Sequence, residues 1–202
     1  MTARAKLTVT FTGFWISGTG MARGRDVDVV THRDRDHLPA MPMTQIKGQL
    51  RETAARLTAG GIGPWQDQTL LARLFGPDTQ DDKSSDGRGG ALGFRGEARL
   101  PEAVRVWLAH ADQADSRSRL FARIQSTAIG QLGAALDHSL RSIEAVIPLT
   151  LESHIDWVDA ESSAVDWLEA VDLACAATVA FGKLKADGYG RAIAALERVG
   201  AR

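Results

Sequence analysis

The sequence predicts an α+β domain in which strands alternate with two main helices. Three stretches carry that reading. Residues 6–15 alternate apolar side chains with threonine, residues 44–59 repeat apolar side chains at helical spacing, and residues 146–157 alternate again ahead of a second helix and a closing strand.

The first stretch, Lys-Leu-Thr-Val-Thr-Phe-Thr-Gly-Phe-Trp, reads as a strand with one buried face. Residues 17–37 form a long loop dense in Ser, Gly, Arg and Asp. Thr44 is placed to cap a helix that runs to Ala59, where Gly60-Gly61 stops it. Ile46, Leu50, Ala54 and Leu57 line one face of that helix. A short helix over 66–74 follows and ends at Phe75-Gly76-Pro77. Residues 77–92 are polar and glycine-rich, with too little apolar surface to order themselves alone. Residues 93–100 resume a strand pattern.

Residues 109–140 read as a polar, partly helical excursion carrying Arg117, Arg119, Arg123, Gln125 and Ser126, with Arg141 just beyond. It is either a solvated face or an arm that lies over nucleic acid. In the strand at 146–157, Ile147, Leu149, Leu151, Ile155 and Trp157 share a face, and Pro148 marks its beginning or an edge. A helix is expected over 162–180, with Ser163 and Asp166 as a capping box and Val165, Leu168, Val171, Cys175 and Val179 as its core stripe. A glycine loop and a strand over 190–199 close the chain. The order is β-α-β-β-α-β, the ferredoxin-like plan shared by RNA-recognition modules, with insertions at 17–37, 77–92 and 109–140 of a single domain spanning 1–202.

Composition narrows the function. An apolar content of 44% suits an ordinary globular core. No run of 18 apolar residues exists, so no membrane partner is expected, and without an apolar signal core the default compartment is cytoplasmic. The single cysteine, Cys175, rules out an internal disulfide and a multi-cysteine metal site, and reads as a buried small hydrophobe. There is neither a Walker A sequence nor a Cys/His cluster with zinc-ligand spacing.

The net charge of −1 hides a strong asymmetry. Residues 1–56 hold nine Lys/Arg against five Asp/Glu, whereas 142–175 hold eight Asp/Glu and no Lys/Arg. That acidic stretch is either a solvated face or a surface for the basic side of a neighbouring copy. Two segments are suited to a polyanion. The first runs Met41-Pro42-Met43-Thr44-Gln45-Ile46-Lys47-Gly48-Gln49-Leu50-Arg51, a helix start bearing Lys and Arg. The second runs Phe181-Gly182-Lys183-Leu184-Lys185-Ala186-Asp187-Gly188-Tyr189-Gly190-Arg191, a basic glycine loop with one aromatic. Helix N-termini and glycine-rich backbone present N–H groups to phosphate, and Tyr189 either stacks on a base or packs the loop. The candidate RNA contacts are Lys47, Gly48, Arg51, Lys183, Lys185, Gly188, Tyr189, Gly190 and Arg191.

With these motifs the chain resembles the RAMP superfamily of CRISPR-associated proteins, and within it the repeated backbone subunit of type III effector complexes. The family's first motif, roughly Ile-Pro-Gly-Ser-Ser-Leu-Lys-Gly-x-Leu-Arg, is matched at Pro42, Lys47-Gly48 and Leu50-Arg51. Met43 stands where the family has Gly, and Thr44-Gln45 where it has two Ser. The glycine loop matches at Gly188-Tyr189-Gly190-Arg191, and Leu74-Phe75-Gly76 and Arg141-Ser142-Ile143-Glu144 add to the likeness. The resemblance implies binding of a CRISPR guide RNA and of complementary target RNA, within a filament of other copies of the chain and other effector subunits.

The resemblance also implies a catalytic Asp ahead of the first motif. Asp26-Val27-Asp28-Val29-Val30 fits the family pattern, with Asp26 in the catalytic and metal-binding place and Asp28 as second choice. The implied reaction is cleavage of target RNA at regular intervals by its own 2′-OH, with Mg²⁺ or Mn²⁺ as cofactor. Arg23, Arg25 and Arg33 would neutralise phosphates there. The plain alternative is that Asp26, Asp28, Asp34 and Asp36 form exposed ion pairs with the interleaved arginines. His32 and His37 either shuttle protons or face solvent. Two further functions stay open: a non-catalytic structural subunit that only binds guide RNA, and a guide-processing endonuclease.

Overall fold

A computed structural model describes residues 4–18, 30–77, 89–127, 141–158 and 167–199. Strand β1 (Arg4–Phe11) is central, with a partner on each edge, and its alternation gives it one face for the core. It pairs antiparallel with β7 (Thr150–Trp157) on one side and β8 (Ala192–Val199) on the other. Beyond β7 lie β3 (Leu92–Phe94) and β4 (Glu97–Arg99), and β2 (Ala40–Pro42) pairs with β4. Taking β3 and β4 as one interrupted strand, the sheet reads second, third, first, fourth, which is the ferredoxin-like arrangement.

Helices α1 (Met43–Ala59) and α5 (Trp167–Ala177) pack against each other, and α5 also packs on β8. Ala5, Leu7, Val9 and Phe11 of β1 are buried in one hydrophobic cluster with Ile46, Leu50, Ala54 and Leu57 of α1. The opposite sheet face is polar: Arg4 pairs with Asp156 at 2.7 Å, Lys6 with Glu152 at 2.8 Å, and Thr10 meets Thr150 at 3.1 Å.

Several expectations are corrected. Thr44 does not cap α1. Chain enters the helix directly from β2 with Pro42 at the cap position, and the Met43 amide donates to the Gly96 carbonyl at 2.9 Å. The strand expected over 93–100 is broken at Gly96, whose φ of 68° turns the backbone out of the ladder. The second helix is shorter than expected: a 3₁₀ turn at Gly63–Gln66 precedes α2 (Leu70–Phe75), which stops at Gly76.

Among its described residues the polar excursion is partly helical, as expected, but it also carries a strand the sequence did not announce. Helices α3 (Glu102–Leu108) and α4 (Ala114–Ser118) lead into β5 (Phe121–Ser126), which pairs with β6 (Arg141–Val146) as a second, two-stranded sheet. The strand read at 146–157 is divided, with Pro148 in the link between β6 and β7. Backbone pairing between Trp15 and Val146 ties the two sheets together, and the Trp15 indole N–H donates to the Ile147 carbonyl at 3.1 Å. Val179 lies past the end of α5 and is 75% exposed; Trp167, Ala170 and Ala174 join Val171 and Cys175 in the core instead. Ser163, Val165 and Asp166 lie outside the described residues.

Candidate nucleic-acid interface

The chain continues past β1 as an extended segment, residues 12–18, and the glycine loop pairs along it. Thr12 N–H donates to the Arg191 carbonyl at 2.9 Å, Gly190 N–H to Phe14 at 2.8 Å, and Lys183 N–H to Ile16 at 2.9 Å. The loop closes on itself through Phe181 N–H to the Gly190 carbonyl at 2.8 Å. This packing requires glycine. A Cβ on Gly190 (φ 77°) would stand 2.0 Å from the Phe181 oxygen, and one on Gly182 (φ 101°) 2.4 Å from the Ile16 oxygen.

Helix α1 docks onto this layer through two glutamines one turn apart. The Gln49 side chain donates to the Gly182 carbonyl at 3.0 Å and accepts from the Gly182 N–H at 3.2 Å. Gln45 Oε1 accepts from the buried Ser17 hydroxyl at 2.9 Å. The two motifs, 133 residues apart, therefore form one junction. Sequence reasoning missed Gln45 and Gln49, since an amide on a helix surface carries no signal of a distant backbone partner. It also missed Phe14, which is 42% exposed beside Gly190.

The expected RNA contacts divide. Lys47 is half-buried on α1 and makes no ion pair with a described residue. Gly48 is exposed, and a Cβ there would meet nothing within 4 Å, so internal packing does not require the glycine. Arg51 is turned inward, where its guanidinium donates to the Gly76 carbonyl at 2.6 Å and holds the end of α2. Lys183 is exposed, its side chain lying along Gly18. Lys185 reaches Glu52 at 3.5 Å. Gly188 (φ 88°) opens onto free space. Tyr189 is half-buried against the small cluster of Ile16, Ile143 and Ala145, so it packs the loop onto the second sheet. Arg191 is exposed.

Arg23, Arg25, Asp26 and Asp28 lie outside the described residues. The stretch that carries them leaves and returns at a fixed point, because Gly18 and Thr31 bridge antiparallel. Among the described residues, no group of three or more His, Cys, Asp or Glu could hold a metal ion, so the metal expectation rests on Asp26 and is not met elsewhere.

The returning segment is firmly held. His32 Nε2 meets Glu97 Oε1 at 2.7 Å. Burial pushes the Glu97 carboxyl up, but the His32 contact and the Arg99 guanidinium outweigh it and hold the carboxyl below its usual value. Arg33, expected to neutralise phosphate, pairs with Glu144 at 2.7 Å and lies 3.7 Å above the Phe121 ring. Asp34 is buried, with Oδ2 4.0 Å from the Arg99 guanidinium, and its Oδ1 accepts the Asp36 and Leu38 amides at 2.9 and 3.0 Å. Asp36 does pair at the surface, with Arg105 at 3.3 Å. Burial also pushes the Cys175 thiol up to about 12, with Asp172 adding to the effect, so it stays protonated and is no nucleophile.

Fold and site together define an α+β, ferredoxin-like protein whose basic glycine loop is docked on its first helix. No protein-family model matches the sequence, and no curated protein matches it either. Solved structures do match. A chain of a type III-B Cmr-β complex bound to cognate target RNA superposes with a TM-score of 0.64 at 8% identity, covering 96% of each chain. A chain of the apo type III-B Cmr-β complex superposes with a TM-score of 0.64 at 9% identity, covering 97% of each. The fold is thus that of chains in type III-B effector complexes. No helix of the described residues is long and apolar enough to cross a membrane.

Proposed function

We propose that this chain is a guide-RNA-binding backbone subunit of a type III CRISPR interference complex, assembled with further copies of itself and other effector subunits. The observation that carries the reading is the clasp between Gln49 and Gly182, which joins the Lys-Gly helix and the basic glycine loop into one surface. The fold shared with chains of type III-B Cmr-β complexes, one solved with cognate target RNA, supports the same assignment. Lys47, Lys183 and Arg191 bring positive charge without an internal carboxylate partner among the described residues. Gly48 and Gly188 leave room for a sugar-phosphate backbone to approach. Such binding is strongly salt-dependent, because each neutralised phosphate releases counterions.

In its finer form the proposal includes cleavage of the complementary target RNA. The 2′-oxygen attacks the adjacent phosphorus as the bond to the 5′-oxygen breaks, and the proton lost by the 2′-OH is made good on the leaving oxygen. The chain has to align these atoms and stabilise charge. Asp26 is the assigned residue, with Asp28 second; it would hold Mg²⁺ or Mn²⁺, whose positive charge stabilises the pentavalent phosphate.

The test is reconstitution with guide RNA and partner subunits, followed by labelled complementary RNA in Mg²⁺, Mn²⁺ or EDTA. The expected result is a metal-dependent ladder at regular spacing that disappears in Asp26→Ala while RNA stays bound. A ladder that survives both Asp26→Ala and Asp28→Ala overturns the catalytic assignment. Tight binding with no ladder in any metal leaves a structural subunit, and sequence-specific cutting of a repeat hairpin by the isolated chain makes it a guide-processing nuclease.

A further inference from the structure

The aromatic expected to stack on RNA is already occupied. Tyr189 packs against Ile16, Ile143 and Ala145, where its ring holds the glycine loop to the second sheet. The open face of the main sheet offers no replacement: Lys6, Thr8 and Thr10 of β1 stand opposite His154, Glu152 and Thr150 of β7, and Ile193, Ala195 and Glu197 of β8 complete the rows. None is Phe, Tyr or Trp, so the described sheet lacks the stacking platform of an RNA-recognition module.

An aromatic ring is nevertheless presented at the junction. Phe14 is 42% exposed although the residues after it, Trp15 and Ile16, are fully buried. Its backbone is fixed, since its carbonyl accepts the Gly190 amide at 2.8 Å and the next residue is bridged to Val146. Its backbone neighbours leave part of the side chain uncovered. Gly13 precedes it and Gly190 faces it across the pairing, and neither has a side chain to lay over it. A Cβ added to Gly13 would meet nothing within 4 Å. The cations of the same loop, Lys183 and Arg191, are exposed. Trp107, also exposed, sits instead with Val104 and Val106 on α3.

We infer that Phe14 is a base-stacking residue of this interface, receiving an unpaired or splayed nucleobase while Lys183 and Arg191 take the flanking phosphates. A rigid ring on fixed backbone loses little entropy on stacking, and every base has a face to offer, so the contact confers affinity without sequence preference. Lysine and arginine provide the charge that brings the strand there. The inference rests on the RNA-binding reading and adds to it a residue that neither motif contains.

The experiment is equilibrium binding of a fluorescein-labelled single-stranded oligoadenylate to the full chain across a salt series. Phe14→Ala is expected to weaken binding by about ten- to a hundred-fold, with the slope of log K against log salt unchanged. Phe14→Trp should restore it to within about threefold, and Lys183→Ala should instead reduce the slope by about 0.7. Photo-crosslinking to 4-thiouridine RNA should place a crosslink on the peptide containing Phe14. If neither the unaltered chain nor the complex reconstituted around it binds RNA, the RNA-binding reading itself fails. If either binds and Phe14→Ala stays within twofold, or if that variant changes oligomeric state and leaves RNA affinity alone, the stacking role is overturned.

Discussion

Two regions of this molecule are built from the same Lys, Arg, Asp and Glu and end in opposite electrostatic states. Along residues 30–39 and the strand beside them, the cations are matched. Arg33 lies against Glu144, Arg99 against Glu97, Arg105 against Glu102 and Asp36, and His32 against Glu97. At the junction of α1 with the glycine loop, backbone and amide hydrogen bonds hold the structure, and Lys47, Lys183 and Arg191 have no carboxylate among the described residues. Charge that closes on itself holds a loop in place. Charge left open, on a surface already held by other bonds, is available to a polyanion. The second region is therefore the one that fits the proposed RNA contact, although the first is richer in arginine.

The largest effect that would break this comparison is at Gly190. Gly190→Ala places a Cβ 2.0 Å from the Phe181 oxygen at positive φ, so the loop cannot keep its pairing with residues 12–16. Stability in urea denaturation is expected to fall by about 3 kcal/mol or more. Next is Gln49→Leu, which leaves both polar groups of buried Gly182 without their side-chain partner. A loss of about 1–3 kcal/mol is expected, together with weaker RNA binding because the two motifs separate. Unchanged RNA affinity in that variant would show that the clasp does not organise the interface.

Gly48→Ala sharpens the contrast in the other direction. Nothing inside the chain meets the new Cβ, and alanine favours the helix, so stability should rise by about 0.8 kcal/mol. RNA affinity should fall, since the methyl group stands where a backbone would approach. A rise in both would remove Gly48 from the interface. The smallest effect belongs to the paired region. Glu97 is held below its ordinary carboxylate value, so its contribution is complete above about pH 4.3 and fades as acid titrates it through the lower folded value. Glu97→Gln should cost less than about 1 kcal/mol near neutrality, flatten the acid limb of a melting profile, and leave RNA affinity unchanged.

Much of the architecture was legible locally. The alternation in β1 and the Ile46-Leu50-Ala54-Leu57 stripe in α1 mark buried faces directly, because burial on one face imposes a period of two or of 3.6 on the sequence. The glycines at 182, 188 and 190 marked a special loop, and all three have positive φ. The β5–β6 pair was not legible, because Phe-Ala-Arg-Ile-Gln-Ser has no clean period and becomes a strand only opposite β6, whose Ile143 and Ala145 supply the buried face over Ile16. The reading of Arg51 and Arg33 as phosphate contacts missed their partners for a similar reason. Their acceptors, Gly76 and Glu144, stand 25 and 111 residues away.

The sequence by itself determined the α+β alternation, the core faces of β1 and α1, the stop at Gly60-Gly61 and the two basic segments, one at a helix start and one in a glycine loop. These are local properties, set by side-chain period and by backbone freedom. Tertiary structure alone decided that the two segments touch through Gln49, that Tyr189 is spent on packing while Phe14 is left partly exposed, and which cations lack a carboxylate partner among the described residues. Each of those outcomes depends on which distant groups arrive beside a residue once the chain has closed its sheet, and no short stretch of sequence contains that information.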